Sequence, residues 1–330
     1  MQSLCNRFPK VQASAIISDF VVPKRFSHTT FDNYVADPAI PSQALAKSKM
    51  ELFIDPSLQR KGIFRRVEPP KAGIYLDGGF GVGKTHLLTA LWHHFQHRAT
   101  YGSFVEYTNL VGALGFAESV ETLSEFELIC IDEFELDDPG DTVLMSTLLG
   151  RLVDRGVRIA VTSNTLPDRL GEGRFAADDF IREIQGLAAH FEVIRIDGPD
   201  YRHRNALSGA LPISGAELNA LAQTNSDYAL DSFVELTNHL SQVHPSAFGA
   251  LVHDLDAVCF EGISQLTDQA QALRWVVLID RLYDREIPLA YSGVEISGLF
   301  SPEMLAGGYR KKYLRALSRA SALSRELVIS

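Results

Sequence analysis

A phosphate-binding loop pattern, G-x-x-x-x-G-K-[ST], occurs at Gly78-Gly79-Phe80-Gly81-Val82-Gly83-Lys84-Thr85. Glycines allow successive backbone N–H groups to turn toward a phosphate, because no Cβ blocks the approach. A short apolar run at 73–76 precedes the loop, and apolar residues at helical spacing follow it. The loop therefore lies between a strand and the N-terminus of a helix, where the helix dipole favours anions. This pattern predicts a nucleotide-binding α/β domain.

The residue types in this loop indicate ATP with Mg²⁺ as the ligand. In such loops the lysine, here Lys84, reaches the β- and γ-phosphates, and the hydroxyl of the next residue, Thr85, ligates the metal. We predict that the nucleotide contacts extend from Gly78 through His86 at the start of the helix.

A second chemical element follows the apolar strand predicted at 128–131, which ends in the acids Asp132 and Glu133. An uninterrupted apolar strand is typical of a parallel sheet covered on both faces. We predict that Asp132 holds Mg²⁺ and that Glu133 polarises the attacking water as a general base. The alternative is that the acid pair merely caps the next helix.

A third polar element, Thr162-Ser163-Asn164, ends the strand predicted at 158–161. Asn164 can sense the γ-phosphate or the attacking water through a hydrogen bond, or it can simply form an Asx turn before Pro167. Strands alternate with helices over 73–196, which predicts a parallel sheet; these elements include a strand at 103–107 and a helix at 177–191. Outside that range we predict a helix at 41–53 that Ser42 can cap, a helix at 301–326, and a second strand–helix–strand unit over 255–292. The three elements together predict a P-loop NTPase of the AAA+/ASCE type, with a three-layer α/β core and a further C-terminal α/β and helical region.

Several arginines are candidates for contacts with the γ-phosphate. Arg174 lies after the Asn164 loop, where it can act as a finger toward a neighbouring subunit or simply start a helix, and Arg182 competes for this role. Arg315 and Arg319 on the last predicted helix can form a second sensor. Together with Arg310, Lys311 and Lys312, they can instead bind a partner's acids or nucleic-acid phosphate, or form a solvated face.

Composition sets the wider limits. The chain has 330 residues, 46% of them hydrophobic, and a formal charge of −10, which argues against a general nucleic-acid coat. Its length predicts about two domains; we expect an N-terminal segment at 1–70, an ATPase core at 71–200 and a C-terminal region at 201–330. Apolar runs too short to span a bilayer, and Cys130 and Cys259 within apolar segments, favour a cytoplasmic protein.

The motifs resemble those of the ZapE family of AAA+ ATPases, which are bacterial cell-division ATPases related to a mitochondrial inner-membrane ATPase. The matching segments cover most of the chain: 31–43, 73–88, 128–134, 156–167, 200–204, 278–284 and 313–319. The style of residues 171–175, Gly-Glu-Gly-Arg-Phe, is similar to actinobacterial members.

This resemblance implies Mg²⁺-dependent hydrolysis of ATP to ADP and assembly into a homo-oligomer. For division-linked members it also implies action on the tubulin-like polymer FtsZ at the inner face of the membrane, and for mitochondrial relatives a role in quality control of respiratory proteins. Two other interpretations stay open. One is a DnaC-like helicase loader that binds single-stranded DNA, which the acidic charge disfavours, and the other is a nucleotide-gated scaffold with negligible turnover.

Overall fold

The computed structural model describes residues 2–9, 13–18, 20, 22–55, 71–79, 81–134, 139–164, 186, 188–198 and 210–329. The chain divides into two compact units: a central unit, Phe20–Asn205, and a terminal unit that combines Met1–Asp19 with Ala206–Ser330. The segment 1–70, which the sequence suggested as one piece, is thus shared between the two units.

The described strands are β1 (Gly73–Gly78), β2 (Ala99–Ser103), β3 (Leu128–Asp132), β4 (Arg158–Ser163), β5 (Phe191–Ile196), β6 (Tyr228–Ser232), β7 (Ala257–Ile263) and β8 (Leu289–Gly293). The described α-helices are α1 (Ala13–Ser18), α2 (Pro41–Ile54), α3 (Lys84–Phe95), α4 (Phe104–Leu114), α5 (Phe116–Leu123), α6 (Pro139–Asp154), α7 (Gly215–Ala222), α8 (Phe233–Gln242), α9 (Phe248–Leu251), α10 (Gln269–Asp284), α11 (Pro302–Ala306) and α12 (Arg310–Ile329).

The sheet of the central unit has the strand order β2-β3-β4-β1-β5, and every neighbouring pair is parallel. Parallel neighbours need crossover connections, and helices supply most of them here. Because the strands share one direction, the carboxyl ends of β1, β3 and β4 meet at one edge. The predicted α/β fold with a parallel sheet is confirmed.

Helices cover both faces of this sheet, as the alternation of side chains along β1 requires. Ile74 and Leu76 pack with Leu87 of α3 in one buried cluster, which also contains residues of α2. Tyr75, between them, points to the other face, where its ring meets Phe134. The helices α4 and α6 contact strands of the same sheet.

The second strand differs from its predicted position at 103–107. The structure ends β2 at Ser103 and begins α4 at the next residue. Ser103 and Glu106 form a capping box, in which each side chain accepts a hydrogen bond from the backbone N–H of the other residue. Two otherwise unpaired helix N–H groups are thereby satisfied, and this outweighs the strand propensity of the segment.

Helix α2 confirms the helix predicted at 41–53, but Ser42 does not cap it. Ile40 is the N-cap and Pro41 the first helical residue, while the Ser42 hydroxyl accepts the N–H of Asp197 at 2.9 Å.

The single helix predicted at 301–326 is two helices, α11 and α12, which Gly307 and Gly308 help to separate. Most of the helix predicted at 177–191 lies outside the described residues, and Phe191 begins β5.

The terminal unit contains a second parallel sheet, with the order β6-β7-β8. The helix α10 connects β7 to β8 as the sequence predicted for this strand–helix–strand unit, and its Trp275 is the largest fully buried side chain. The indole N–H donates to Thr237 at 2.8 Å, so this buried polar group is satisfied. In the described part of the chain, no helix combines the length and apolar character needed to cross a membrane.

Residues 2–9, which we call the arm, complete the β6 edge of this sheet. Gln2 forms a parallel bridge with Ala229, and its backbone makes hydrogen bonds to Tyr228 and Leu230. The Leu4 side chain is fully buried in the core of the terminal unit. The arm therefore belongs structurally to elements that lie more than 200 residues later in the sequence.

Candidate active site

The loop after β1 has a backbone that only glycine adopts without strain at two positions. Gly81 and Gly83 have φ angles of 77° and 95°, in the left-handed region. A Cβ on Gly83 would lie 2.7 Å from Cε2 of Tyr34, much closer than a van der Waals contact. The loop is thus shaped by its glycines and is directly followed by the N-terminus of α3.

Lys84 ties this loop to the end of β4. Its side chain is largely buried, and its Nζ donates to the carbonyl oxygens of Gly78 at 2.8 Å and Gly79 at 2.6 Å. It also donates to Oδ1 of Asn164 at 3.0 Å. The structure therefore brings together two residues, Lys84 and Asn164, that the sequence predicted as phosphate ligand and sensor.

Asp132, at the end of β3, is the centre of a set of hydroxyl groups. Thr85 Oγ1 lies 3.2 Å from Oδ2 and 3.3 Å from Oδ1 of Asp132, and the hydroxyl of Tyr101 donates to Oδ2 at 2.9 Å. Thr162 Oγ1 donates to Oδ1. The predicted metal ligands Thr85 and Asp132 are therefore neighbours.

Burial raises the pKa of the Asp132 carboxyl above its ordinary value, and the adjacent carboxylate of Glu133 raises it further. Hydrogen bonds from Thr162, Tyr101 and Thr85 favour the charged form and act in the opposite direction. A carboxylate and a hydroxyl supply hard oxygen ligands, the kind that Mg²⁺ uses together with substrate phosphates and water. The donor set therefore fits Mg²⁺.

Glu133 has a φ angle of 54°, which is uncommon for a residue with a side chain. Its N–H donates to Thr162 Oγ1 at 3.0 Å, and the N–H of Phe134 donates to the carbonyl oxygen of Thr162 at 2.7 Å. The fully buried Phe134 ring further fixes this turn through an edge contact with Phe104. Left-handed residues held by their surroundings are typical of functional sites.

The segment 30–34, which precedes α2, packs against the loop after β1 and the start of α3. The Tyr34 ring meets His86 edge-on, with ring centroids 5.2 Å apart, and its hydroxyl lies 3.4 Å from the carbonyl oxygen of Val82. His86 Nε2 lies 3.0 Å from the carbonyl oxygen of Thr30. His86 and Val82, both predicted nucleotide contacts, are therefore also contacts of this N-terminal segment.

Sequence reasoning missed three side chains of this edge. Tyr101 lay outside the strand predicted at 103–107, so its approach to Asp132 was not foreseen. Thr162 was predicted to belong to the polar tip of its strand, but its contacts with Asp132 and Glu133 were not predicted. Asp77, buried at the end of β1, lies 3.9 Å from Nη1 of Arg195; an acid interrupting an apolar strand was the available signal. Burial raises the pKa of Asp77, although Arg195 and Lys84 favour its charged form.

The arginine predictions have different outcomes. Arg174 and Arg182, like the loop residue Phe80, lie outside the described residues. Arg315 and Arg319 bind Asp280 within the terminal unit, at 2.8 Å and 2.5 Å. Their side chains are only 17% and 14% exposed, so the prediction that these two residues form part of a solvated face is wrong.

The chain is similar in sequence to known proteins. The chain is 25% identical over 302 residues to the cell division protein ZapE of Escherichia coli K12, an alignment that covers 78% of this chain and 79% of the relative. It is 23% identical over 277 residues to lactation elevated protein 1 homolog B of Danio rerio, covering 66% and 54%. Domain III of the Thermotoga maritima replication initiation protein DnaA gives a TM-score of only 0.41 at 20% identity, over 55% of this chain and 70% of that one.

The family comparison spans nearly the whole chain. The model of the AFG1-like ATPase family matches residues 11–235 and 219–329, which include the loop after β1, the acids at the end of β3 and residues of both units. The chain therefore belongs to the AFG1-like ATPase family.

Proposed function

We propose that this ATPase hydrolyses Mg²⁺-bound ATP at the edge where the loop after β1 meets the ends of β3 and β4, and that it uses the hydrolysis to remodel a protein partner. One observation supports this site most directly. Thr85 Oγ1 lies 3.2 Å from Oδ2 of Asp132, and Nζ of the preceding residue, Lys84, lies 3.0 Å from Oδ1 of Asn164. Three segments distant in sequence thus present a cation, a metal-ligating oxygen pair and a polar sensor at one place.

The loop and the start of α3 bind the phosphates. Backbone N–H groups of residues 78–86 and the positive end of the helix dipole attract the anion, and Lys84 adds a full charge toward the β- and γ-phosphates. Thr85 and Asp132 would hold Mg²⁺, and the bound ion would neutralise the charge that develops on the phosphates.

Glu133 and Asn164 act on the water and the γ-phosphate. Glu133 accepts a proton from the attacking water as general base, and its fixed backbone keeps the carboxylate at the carboxyl edge of the sheet. Asn164, already within hydrogen-bond distance of Lys84, detects the γ-phosphate. Arg174 stays the candidate for a finger toward a neighbouring subunit in a homo-oligomer.

The partner is proposed from the relationship to ZapE, whose name assigns it to cell division. We propose FtsZ as the client, with the protein in the cytoplasm or peripherally at the inner face of the membrane. Phosphate release should require Mg²⁺ and should rise when FtsZ polymers are added, with a change in the amount of polymer that sediments. Release that persists in EDTA contradicts the metal site, and polymers that change neither quantity contradict the client.

A further inference from the structure

Both oxygens of the Asp132 carboxylate are held by hydroxyl groups from three different elements. Tyr101 on β2 donates to Oδ2 at 2.9 Å, Thr162 on β4 donates to Oδ1, and Thr85 on α3 lies within 3.3 Å of both oxygens. Rotation of the carboxylate about its Cβ–Cγ bond would break these contacts together. The orientation of this carboxylate is therefore fixed by the two neighbouring strands β2 and β4 and by α3.

Tyr101 is suited to this task because its ring cannot move freely. It is only 3% exposed and packs in the cluster that joins the sheet to α2 and α3. Packed aromatic rings sit in defined rotamers, so the position of the hydroxyl is set by the core. The packed core therefore fixes the position of a hydroxyl group that donates to Asp132, the carboxylate proposed to hold the metal.

Thr162 connects the two acids. Its hydroxyl donates to Asp132 and accepts the N–H of Glu133 at 3.0 Å, while its carbonyl oxygen accepts the N–H of Phe134 at 2.7 Å. The left-handed conformation of Glu133 is strained, and such a residue persists only where the surrounding structure holds it. These two backbone contacts supply that restraint.

We propose that Tyr101 and Thr162 are positioning residues: they hold Asp132 in the orientation that ligates Mg²⁺, and Thr162 also holds the backbone of Glu133 in its turn. This inference rests on the proposed hydrolysis site and adds to it two side chains that act through the acids. Partners of metal ligands fix ligand orientation, and losing one commonly costs 10- to 100-fold in metal affinity or activity.

The test of Tyr101 is the Mg²⁺ dependence of nucleotide binding. The affinity for a fluorescent ATP analogue is measured across a Mg²⁺ titration for wild type, Tyr101→Phe and the control Tyr107→Phe. Tyr107 is also fully buried and donates to β3, but to the carbonyl oxygen of Cys130 at 3.2 Å. We expect Tyr101→Phe to need about 10-fold more Mg²⁺ for its half-maximal effect, and Tyr107→Phe to match wild type.

The test of Thr162 uses two variants that separate the role of its hydroxyl group from that of its methyl group. Thr162→Val removes both hydroxyl contacts and should raise the Mg²⁺ requirement and lower kcat. Thr162→Ser keeps the hydroxyl and should retain the wild-type Mg²⁺ requirement and kcat. Equal Mg²⁺ requirements for Tyr101→Phe and wild type, a lower requirement in that variant, or a serine variant as impaired as the valine variant would each overturn the inference.

Failure of the proposed site can be distinguished from failure of this inference by Asp132→Asn. If Asp132→Asn keeps the wild-type Mg²⁺ dependence of nucleotide binding, the proposed metal site itself is wrong. If Asp132→Asn loses that dependence while Tyr101→Phe and Thr162→Val keep it, the metal site stands and the positioning roles are wrong.

Discussion

Lys84 Nζ lies 3.0 Å from Asn164 Oδ1, so one ammonium group joins the loop after β1 to the end of β4. The same Nζ donates to two loop carbonyl oxygens, which places the cation inside the curve of the glycine loop. This contact between the start of α3 and the residue after β4 explains how a loop with few side chains can have a defined shape. It also makes Lys84 the first residue to test.

Lys84→Ala should weaken nucleotide binding by at least about 10- to 100-fold, because hydrogen bonds to a charged group contribute about 1.5 to 3 kcal/mol. The affinity for a fluorescent ATP analogue measures this. Lys71→Ala is the control: Lys71 lies before β1, where its Nζ donates to the carbonyl oxygen of Phe191 at 2.9 Å. Equal affinities for Lys84→Ala and Lys71→Ala would refute the phosphate role of Lys84.

Glu133→Gln should keep nucleotide binding and slow turnover by roughly 100-fold or more, the usual contribution of a general base. The amide keeps the shape of the carboxylate but cannot accept the proton. Phosphate release and nucleotide affinity are measured in parallel. Glu127→Gln is the matched control, because Glu127 precedes β3 and pairs with Arg98 at 2.8 Å on the surface. An unchanged rate in Glu133→Gln would rule out this base.

Gly83→Ala should both destabilise the central unit and weaken nucleotide binding. The φ angle of 95° costs an L-residue about 1 to 2 kcal/mol, and the new Cβ would also press on the Tyr34 ring at 2.7 Å. Gly150→Ala is the control, since its Cβ would meet nothing within 4 Å and alanine favours the helix α6 by about 1 kcal/mol. Urea unfolding should therefore give opposite signs for the two variants; equal signs would contradict this account of Gly83.

The elements that were predictable from the sequence are those whose pattern is local. The glycine loop and the apolar strand before Asp132 each contain their own signal within ten residues, and both lie where expected. Ser103 was misplaced although its signal was also local, because the pair Ser103 and Glu106 was taken for part of a strand rather than for a helix cap. Recognising this capping box in the sequence would have placed the end of β2 at Ser103.

Contacts between segments distant in sequence were not predictable in this way. Nothing near Tyr101 shows that its hydroxyl meets Asp132, since the pairing follows from the register of β2 on β3. The arm is a stronger case: Gln2 pairs with Ala229 across the sequence of the entire central unit. Local periodicity contains no information on such partners.

Asp280→Asn should destabilise the terminal unit by about 3 to 5 kcal/mol, because it leaves the largely buried guanidinium groups of Arg315 and Arg319 without their shared carboxylate. Asp256→Asn is the control, since Asp256 is exposed and accepts a hydrogen bond from Asn225. Urea unfolding at neutral pH measures both variants, and a loss no larger than that of Asp256→Asn would contradict the buried triad.

The same carboxylate gives a pH dependence. Burial alone would raise the pKa of Asp280, but Arg315 and Arg319 outweigh it and hold the pKa below its ordinary value. A depressed folded-state pKa contributes stability that is complete above the unfolded value of about 3.9 and is lost as pH falls through the folded value. Wild type should therefore lose its advantage over Asp280→Asn as pH falls below about 4; a constant difference down to low pH would contradict this.

Leu4→Ala tests whether the arm is an integral part of the terminal unit. Leu4 is fully buried, its N–H donates to Asp231 at 2.9 Å, and Arg7 further along the arm donates to the carbonyl oxygen of His253 at 2.8 Å. Truncating a buried leucine costs about 2 to 5 kcal/mol, so urea unfolding of the terminal unit should shift by that amount.

Leu211→Ala provides the comparison for this last variant, because Leu211 belongs to the same unit and is 72% exposed. An exposed truncation should change the free energy of unfolding by less than about 0.5 kcal/mol. Hydrogen exchange gives a second readout, since the N–H of Leu230 donates to the carbonyl oxygen of Gln2 at 3.0 Å and should lose protection in Leu4→Ala alone. If both leucine variants unfold alike and Leu230 stays protected, the arm does not stabilise the β6 edge.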